Sequence, residues 1–232
     1  MSTTSRPTPR RKYDNRRRRA DALARQRSII EAATALFVEQ GFGATSIDQI
    51  AAAADVSPQT IYATYGSKAV VLSRAIDVAV LGDYDEIPLM QRAPVLAEIS
   101  GQQHRLHFAT AAHFVRRLHE RVAPLMRVME QAASTDPGLE ELRTRLVRQI
   151  RADCAVWIAQ LGPKALRPGL TEAQAADVMV TLQAPYLYSM FTVDLGWSPD
   201  RYEEWLAHAM PHLLLRPELM TDWPQRRRHG RT

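Results

Sequence analysis

The side chains best suited to hydrogen-bonding chemistry are concentrated in the stretch DVSPQTIYATYGSK, residues 55–68. It combines hydroxyl, amide and phenol groups, all of which can bond to base edges or phosphate oxygens. Before its last residue, Lys68, it contains no positive charge. The stretch therefore suits recognition of a polar surface such as nucleic acid, while attraction to an anionic partner must come from elsewhere in the chain.

Positive charge is concentrated near the N-terminus. Ten of the 30 Lys and Arg residues lie in the first 27 residues, which contain only Asp14 and Asp21 as acidic residues. This segment therefore carries +8 in a chain whose net charge is +5, so the remainder is mildly acidic. A basic arm on an acidic body favours a nucleic-acid or anionic-surface partner.

Arrangements typical of catalysis or metal binding are not evident. The sequence shows no Ser/His/Asp or Cys/His pairing, glycine-rich phosphate loop or paired-carboxylate motif, so we do not expect an enzyme. His104, His107, His113 and His119 share one predicted helix, but at ~100° per residue His113 faces away and His119 is about four turns from His104. They do not converge on one ion, and we predict no metal or cofactor. The histidines are expected at the surface, with one or two as hydrogen-bond partners in a pocket.

The cysteine content and the lack of an export signal or membrane span in the sequence predict a cytoplasmic protein. The single cysteine, Cys154, excludes an intrachain disulfide and suits a reducing compartment, where it is expected to be inert and buried. No apolar run follows the Arg10–Arg11 pair, so an export signal is not expected. No window approaches the ~18 apolar residues of a membrane span.

Helical periodicity and capping signals predict an all-α chain. Apolar residues recur at helical spacing from Leu23 to Gln40, and Gly41 is suited to end that helix. Ser46 and Gln49 form a capping box that opens a second helix, and Ser57-Pro58 opens a third that Gly66 ends. Further helices are predicted at 68–84, 94–100, 102–121, 123–133 (opened by Pro124), 136–161, 171–193 and 198–215.

Two short helices at 47–54 and 58–65, joined by a tight turn, predict a helix-turn-helix, whose second helix lies in the major groove of DNA. The segment RSIIEAATALFVEQGFGATSIDQIAAAADVSPQTIYATYGSKAVVL, about residues 27–72, resembles the DNA-binding domain of the tetracycline-repressor (TetR) family. Its ordered pattern includes Gly41-Phe42, Thr45-Ser46, Val56-Ser57, Thr60-Ile61-Tyr62 and Lys68.

The resemblance implies a set of DNA contacts. It places Thr45 and Lys68 at phosphates, Gln59 and Thr60 on the exposed face of the reading helix, and the Tyr62 hydroxyl at a phosphate. The predicted contacts also include Ser57, Thr64 and the arginines Arg16, Arg17, Arg18 and Arg19. Three positions depart from the family pattern: Asp55 replaces a glycine of the turn, Thr64 a common histidine and Tyr65 a common phenylalanine.

The resemblance further implies that the C-terminal helices hold an effector and form a dimer. The dimer interface is expected to be a four-helix bundle formed by Val178, Leu182, Tyr186, Met190, Trp205, Leu206, Ala209 and Leu213. The candidate lining of the effector pocket is Phe108, Ala112, Val115, Met126, Met129, Trp157, Met179 and Tyr186. The alternative for both sets is ordinary packing within the monomer.

These features together predict an N-terminal three-helix DNA-binding domain followed by a larger helical ligand-binding and dimerisation domain. The segments are a disordered basic arm (1–20), the helix-turn-helix domain (21–66), the effector and dimerisation domain (67–216, with a linker helix at 67–85) and a disordered basic tail (217–232). The expected function is a ligand-responsive homodimeric repressor of a double-stranded, pseudo-palindromic DNA operator. Alternatives are an activator of the same fold, or an adaptor that binds nucleic acid non-specifically through its basic tails.

Overall fold

The computed structural model describes residues 12–82 and 104–220, and every regular element among them is helical. In chain order these are α1 (Lys12–Ala44), α2 (Ile47–Ala53), α3 (Pro58–Tyr65), α4 (Lys68–Leu81), α5 (His104–Ala133), α6 (Pro137–Leu161), α7 (Glu172–Leu182), α8 (Pro185–Ser189), a π-helix (Met190–Asp194), α9 (Pro199–Leu214) and a 3₁₀ turn (Pro217–Met220). The all-α prediction is confirmed. None of the helices described is both long and apolar enough to cross a membrane.

The chain divides into two compact units, Met1–Ala75 and Ile76–Thr232. The predicted arm residues 1–11, the predicted helix 94–100 and the tail from 221 lie outside the described residues. In the first unit the core joins α1, α2, α3 and the first half of α4. Its buried apolar side chains include Ile29, Ile30, Ala33, Phe37, Phe42, Ile47, Ile50, Ala51, Ile61, Val71 and Leu72.

The helix caps that the sequence predicts determine where the short helices of this unit begin. The Ser46 hydroxyl accepts the Gln49 N–H at 3.1 Å, and the Gln49 side chain accepts the Ser46 N–H at 2.7 Å, which confirms the capping box. Gly41, at φ 80°, interrupts the helical backbone of α1. Asp55 adopts φ 54°, the left-handed conformation that its side chain tolerates where the family pattern has glycine.

The first helix begins earlier than the sequence predicts. Residues 12–20, expected to be disordered, are helical and continuous with the rest of α1. The segment contains four consecutive arginines, which are good helix formers, and it extends a helix that is already nucleated by its packed C-terminal part. The basic run is therefore carried on a helix from Lys12 onwards.

In the second unit, α5 packs against α6, α8 and α9, and α7 packs against α6 and α9. The core around Phe108, Trp157, Met179 and Tyr202 is continuous across these helices. Arg116 of α5 joins α9 through ion pairs at 2.6 Å to Asp200 and 3.1 Å to Glu203, which fixes the two helices at their polar edge.

Two prolines have opposite effects on the predicted helices. The helix expected to start at Pro124 is instead part of α5, which continues through this residue. The helix expected to run from 171 to 193 ends at Leu182, because Ala184, directly before Pro185, is extended (φ −65°, ψ 127°). Both predictions were wrong for the same physical reason. An internal proline costs ~3 kcal/mol, so a helix continues through it only where the packing of the flanking turns offsets that cost.

Candidate functional site

The candidate DNA-binding surface is built on α3, whose sequence sets both its ends and its orientation. The Ser57 hydroxyl accepts the Thr60 N–H at 3.2 Å, Pro58 occupies the first turn, and Gly66 ends the helix at φ 77°. Ile61 is 1% exposed and anchors α3 to the core. The opposite face is therefore turned outwards.

The outward face carries most of the predicted contact residues. Gln59 and Thr64 are exposed, Thr60 is half-buried, and the Tyr62 side chain is 54% exposed. Thr60 Oγ1 lies 2.9 Å from Ser57 Oγ, and the Thr64 hydroxyl donates to the Thr60 carbonyl at 2.8 Å. The structure thus brings these residues together on one face, with Gln59 and Tyr62 offering the most accessible polar groups.

Thr45 has a different role from the one predicted. Its side chain is 1% exposed, and its hydroxyl lies 2.8 Å from the Gly41 carbonyl and 3.2 Å from the Leu36 carbonyl. These carbonyls belong to the end of the helical part of α1, where backbone acceptors lack partners in the helix. The Thr45 side chain therefore caps α1 and is not available to a phosphate.

Lys68 likewise departs from the prediction. Its Nζ donates to the Phe42 carbonyl at 2.6 Å and to the Thr45 carbonyl at 2.7 Å, and lies 4.3 Å from the centre of the Phe42 ring. The ammonium group thus joins the start of α4 to the segment between α1 and α2. In this structure the ammonium group makes structural contacts within the first unit and does not project from the outward face of α3.

The positive charge near this surface lies on the N-terminal part of α1. Arg17, Arg18 and Arg19 are exposed, whereas no Lys or Arg occurs from residue 28 to residue 67. An α-helix is about 10 Å across, wider than the ~6 Å minor groove of B-DNA. The helical residues of this run are thus suited to backbone contacts, not to the minor-groove insertion that an extended arm would allow.

Comparisons with known proteins agree with this geometry. Residues 29–75 match the family model described as bacterial regulatory proteins, tetR family. The match ends at Ala75, the last residue of the first compact unit. No curated protein matches the sequence of the chain significantly.

Solved structures resemble nearly the whole chain. NalD, the secondary repressor of the MexAB-OprM multidrug efflux pump in Pseudomonas aeruginosa, is 23% identical with a TM-score of 0.67 over 88% of this chain and 100% of NalD. SmeT in complex with triclosan is 21% identical, with a TM-score of 0.64 over 84% and 94% of the two chains. A transcriptional regulator from Rhodococcus sp. Rha1 is 16% identical, with a TM-score of 0.58 over 81% and 95%. At these identities the likeness establishes the fold.

Residues 29–75 therefore form a domain of the tetR family of bacterial regulatory proteins. The chain is accordingly a DNA-binding transcriptional regulator.

In the second unit of this regulator, most of the predicted pocket residues are core residues. Phe108, Ala112, Val115, Trp157 and Met179 belong to one buried cluster, in which the Phe108 and Trp157 rings meet edge to face at 5.1 Å. Met126 and Met129, further along α5, are also buried. Tyr186 was wrongly placed with them: its side chain is 69% exposed, because Pro185 starts a new helix there.

The predicted dimer residues separate into two groups. Leu182 and Leu206 are 7% and 0% exposed and belong to the core of the monomer, which corrects their assignment to an interface. Tyr186 and Leu213 are exposed. The remaining four, Val178, Met190, Trp205 and Ala209, are half-buried. Sequence reasoning missed the exposed Val193 and Leu195, which follow the unpredicted break at Pro185.

His119, one of the four histidines considered in the sequence, is buried in this unit and does not lie at the surface. It is 2% exposed and contacts the Tyr188 ring at 5.6 Å between centroids, and its Nδ1 has no hydrogen-bond partner among the described residues. Burial lowers the pKa of His119 to about 4, although a hydrogen bond with the Gln183 backbone acts in the opposite direction. In the described ranges, no three His, Cys, Asp or Glu residues are grouped so as to hold a metal ion.

Acid is expected to destabilise the protein through His119. The folded pKa of about 4 lies below the ordinary value of 6.5, so unfolding takes up a proton between these pH values. This contribution to the unfolding free energy is complete above pH 6.5 and decreases by about 3 kcal/mol as the pH falls to 4. Urea unfolding at several pH values measures it.

The contribution of His119 can be separated from that of the carboxylates by substitution. His119→Phe should flatten the pH dependence relative to the wild-type protein. His212→Phe, at an exposed histidine of α9, is the matched control. Equal pH dependence in the wild-type and His119→Phe proteins would contradict the assignment.

Proposed function

We propose that this regulator is a homodimeric, ligand-responsive repressor that binds a pseudo-palindromic operator and is released by a small apolar or amphipathic effector. The observation that carries the DNA-binding part is the exposed surface of α3, on which Gln59 and Tyr62 are exposed while Ile61 is buried. Gln59 is placed to reach base edges and Tyr62 to reach a phosphate.

Electrostatics supports a division of labour within the first unit. The segment from residue 28 to residue 67 carries four acidic and no basic residues, so α2 and α3 have no formal charge that attracts DNA. Phosphate binding supplies most of the affinity of DNA-binding proteins. The basic part of α1 is the proposed source of that affinity, while α3 selects the sequence.

The exposed apolar side chains of the second unit support dimer formation. Tyr186, Val193, Leu195 and Leu213 are 69%, 64%, 58% and 45% exposed, and all follow α7 in the chain. Large apolar side chains grouped on a surface are typical of an interface. A second copy of the chain is the proposed partner, because a two-fold dimer presents two reading helices to one duplex.

An effector site among α5, α6 and α7 is supported by the composition of that core. Aromatic and methionine side chains, among them Phe108, Trp157 and Met179, provide an apolar and adaptable lining. NalD is described as a repressor of a multidrug efflux pump, and SmeT was solved with triclosan. By analogy, the proposed effector is a small apolar molecule that shifts the protein towards a state with lower operator affinity.

The proposal is tested by selecting duplexes from a random pool with the full-length protein and footprinting the selected sequence. A dimer should protect two half-sites related by two-fold symmetry, with centres ~34–36 Å apart. Sedimentation of the free protein should give twice the monomer mass. Protection of a single half-site, or salt-sensitive binding without sequence preference, would contradict the proposal and favour a non-specific adaptor.

The direction of regulation and the response to an effector need a second readout. A promoter carrying the selected operator should be less active with the protein than without it, and triclosan serves as the first probe for release. Higher promoter activity with the protein present would show that the chain is an activator.

A further inference from the structure

The centre of the exposed face of α3 is occupied by two side chains. Ile61 marks the buried direction, and at ~100° per residue Gln59 and Ala63 each lie ~160° from it, on either side of the outward direction. Both residues are exposed. They are the side chains that a major groove facing α3 would meet first.

The hydroxyl groups around this centre already make hydrogen bonds within α3. Ser57 Oγ accepts the Thr60 N–H and lies 2.9 Å from Thr60 Oγ1, and Thr64 Oγ1 donates to the Thr60 carbonyl at 2.8 Å. These contacts reduce what the hydroxyls can offer to bases. Discrimination between base pairs therefore depends mainly on the Gln59 amide and the Ala63 methyl group.

The residue types on α3 restrict which bases it can read. Guanine is most often read by Arg or Lys, and cytosine by Asp or Glu, and Pro58–Tyr65 contains none of these. A glutamine amide matches the N6 donor and N7 acceptor of adenine, while an apolar methyl group packs against the C5 methyl group of thymine. Both central side chains therefore favour A·T pairs.

We infer that each operator half-site presents an adenine to Gln59 and a thymine methyl group to Ala63, at A·T pairs no more than two steps apart. The spacing follows from the helix, because four residues rise ~6 Å and successive base pairs are ~3.4 Å apart. The inference rests on the proposed function, since it requires α3 to lie in the major groove of an operator.

The experiment uses the full-length protein and an operator selected from a random pool. Each adenine of both half-sites is replaced in turn by 7-deazaadenine, which lacks the N7 acceptor, and each thymine by uracil, which lacks the methyl group. At one adenine position the wild-type Kd should rise roughly 5- to 150-fold, while that of Gln59→Ala should change less than twofold. At one thymine position the wild-type Kd should rise roughly fourfold per half-site, with no such effect in Ala63→Gly.

Matched variants control for changes that do not involve the bases. Gln131→Ala, at an exposed position of α5, and Ala52→Gly, at an exposed position of α2, make the same chemical changes. Both variants should keep the wild-type response to both base analogues. Thermal unfolding identifies any variant that is not folded at the assay temperature. Because each comparison is made between two duplexes with one protein, a uniform loss of affinity does not imitate the effect.

Two outcomes would overturn the inference while leaving the proposed function intact. One is an operator with G·C pairs at the positions that Gln59→Ala and Ala63→Gly affect. The other is an equal penalty from 7-deazaadenine in the wild-type and Gln59→Ala proteins. If no duplex is enriched from the pool, the proposed function itself fails, and the inference fails with it.

Discussion

Replacing Lys68 with methionine is expected to lower the free energy of unfolding by about 2–4 kcal/mol. The ammonium group donates to two backbone carbonyls, of Phe42 and Thr45, at 2.6 and 2.7 Å, and also lies over the Phe42 ring. Hydrogen bonds that involve a charged group contribute about 1.5–3 kcal/mol each, and the cation–π contact about 0.5–1 kcal/mol, although these terms do not add fully. Methionine keeps the length of the side chain and removes both hydrogen bonds. Chemical denaturation of the two proteins measures the difference.

The same variant distinguishes a structural lysine from one that contacts DNA. As a structural residue, Lys68 should affect stability and overall affinity, while the dependence of log Kd on log salt concentration keeps its slope. Loss of a phosphate contact would instead reduce that slope by about 1 and leave stability unchanged. Lys164→Met, at an exposed lysine of the second unit, is the matched control and should change neither quantity.

Replacing Arg17, Arg18 and Arg19 together with glutamine is expected to weaken binding to every duplex and to flatten its salt dependence. Each phosphate contact contributes about 0.9 to the slope of log K against log salt concentration. Because consecutive residues of a helix point ~100° apart, we expect one or two of the three arginines to reach a phosphate at once. The slope should then fall by about 1–2 for each protomer of the proposed dimer, and affinity at 0.1 M salt by roughly 10- to 60-fold for each protomer.

Operator preference should survive this change, because the residues that select bases lie on α3. A triple variant with Arg127, Arg148 and Arg167 replaced by glutamine removes the same charge from exposed positions of the second unit. If both triple variants weakened binding equally, the effect would come from net charge, and the basic part of α1 would have no special role. A slope reduced by 3 or more for each protomer would indicate that the segment leaves its helical conformation on DNA.

Local signals in the sequence determined where α2 and α3, the two short helices of the first unit, begin and end. The capping box of Ser46 and Gln49, the Ser57-Pro58 start of α3 and the stop at Gly66 each depend on residues within about four positions. Their structural effects can therefore be predicted from the local sequence without knowledge of the tertiary structure. The outward placement of Gln59 and Tyr62 follows from the helical period once Ile61 is known to be buried.

The partners of long side chains could not be determined in this way. Lys68 lies 26 residues from Phe42, and only the packing of α4 against the turn brings its ammonium group to that carbonyl. The family resemblance implied a phosphate contact for Lys68 because it carries contacts over by position, without knowledge of how this side chain packs. The burial of His119 has a similar origin, since it depends on where α8 packs across α5.

Pro124 and Pro185 show most clearly which properties follow from the sequence and which depend on tertiary packing. The sequence alone fixes that Pro124 and Pro185 cannot donate a backbone hydrogen bond, and this holds in any fold. Whether the helix continues depends on tertiary packing: Val122, Ala123, Leu125 and Met126 are buried around Pro124, whereas Tyr186, next to Pro185, is exposed. The sequence thus determined the all-α class, the short helices α2 and α3, and their caps. The tertiary structure decided which polar groups remain free to bind a partner, because that depends on contacts between residues distant in the chain.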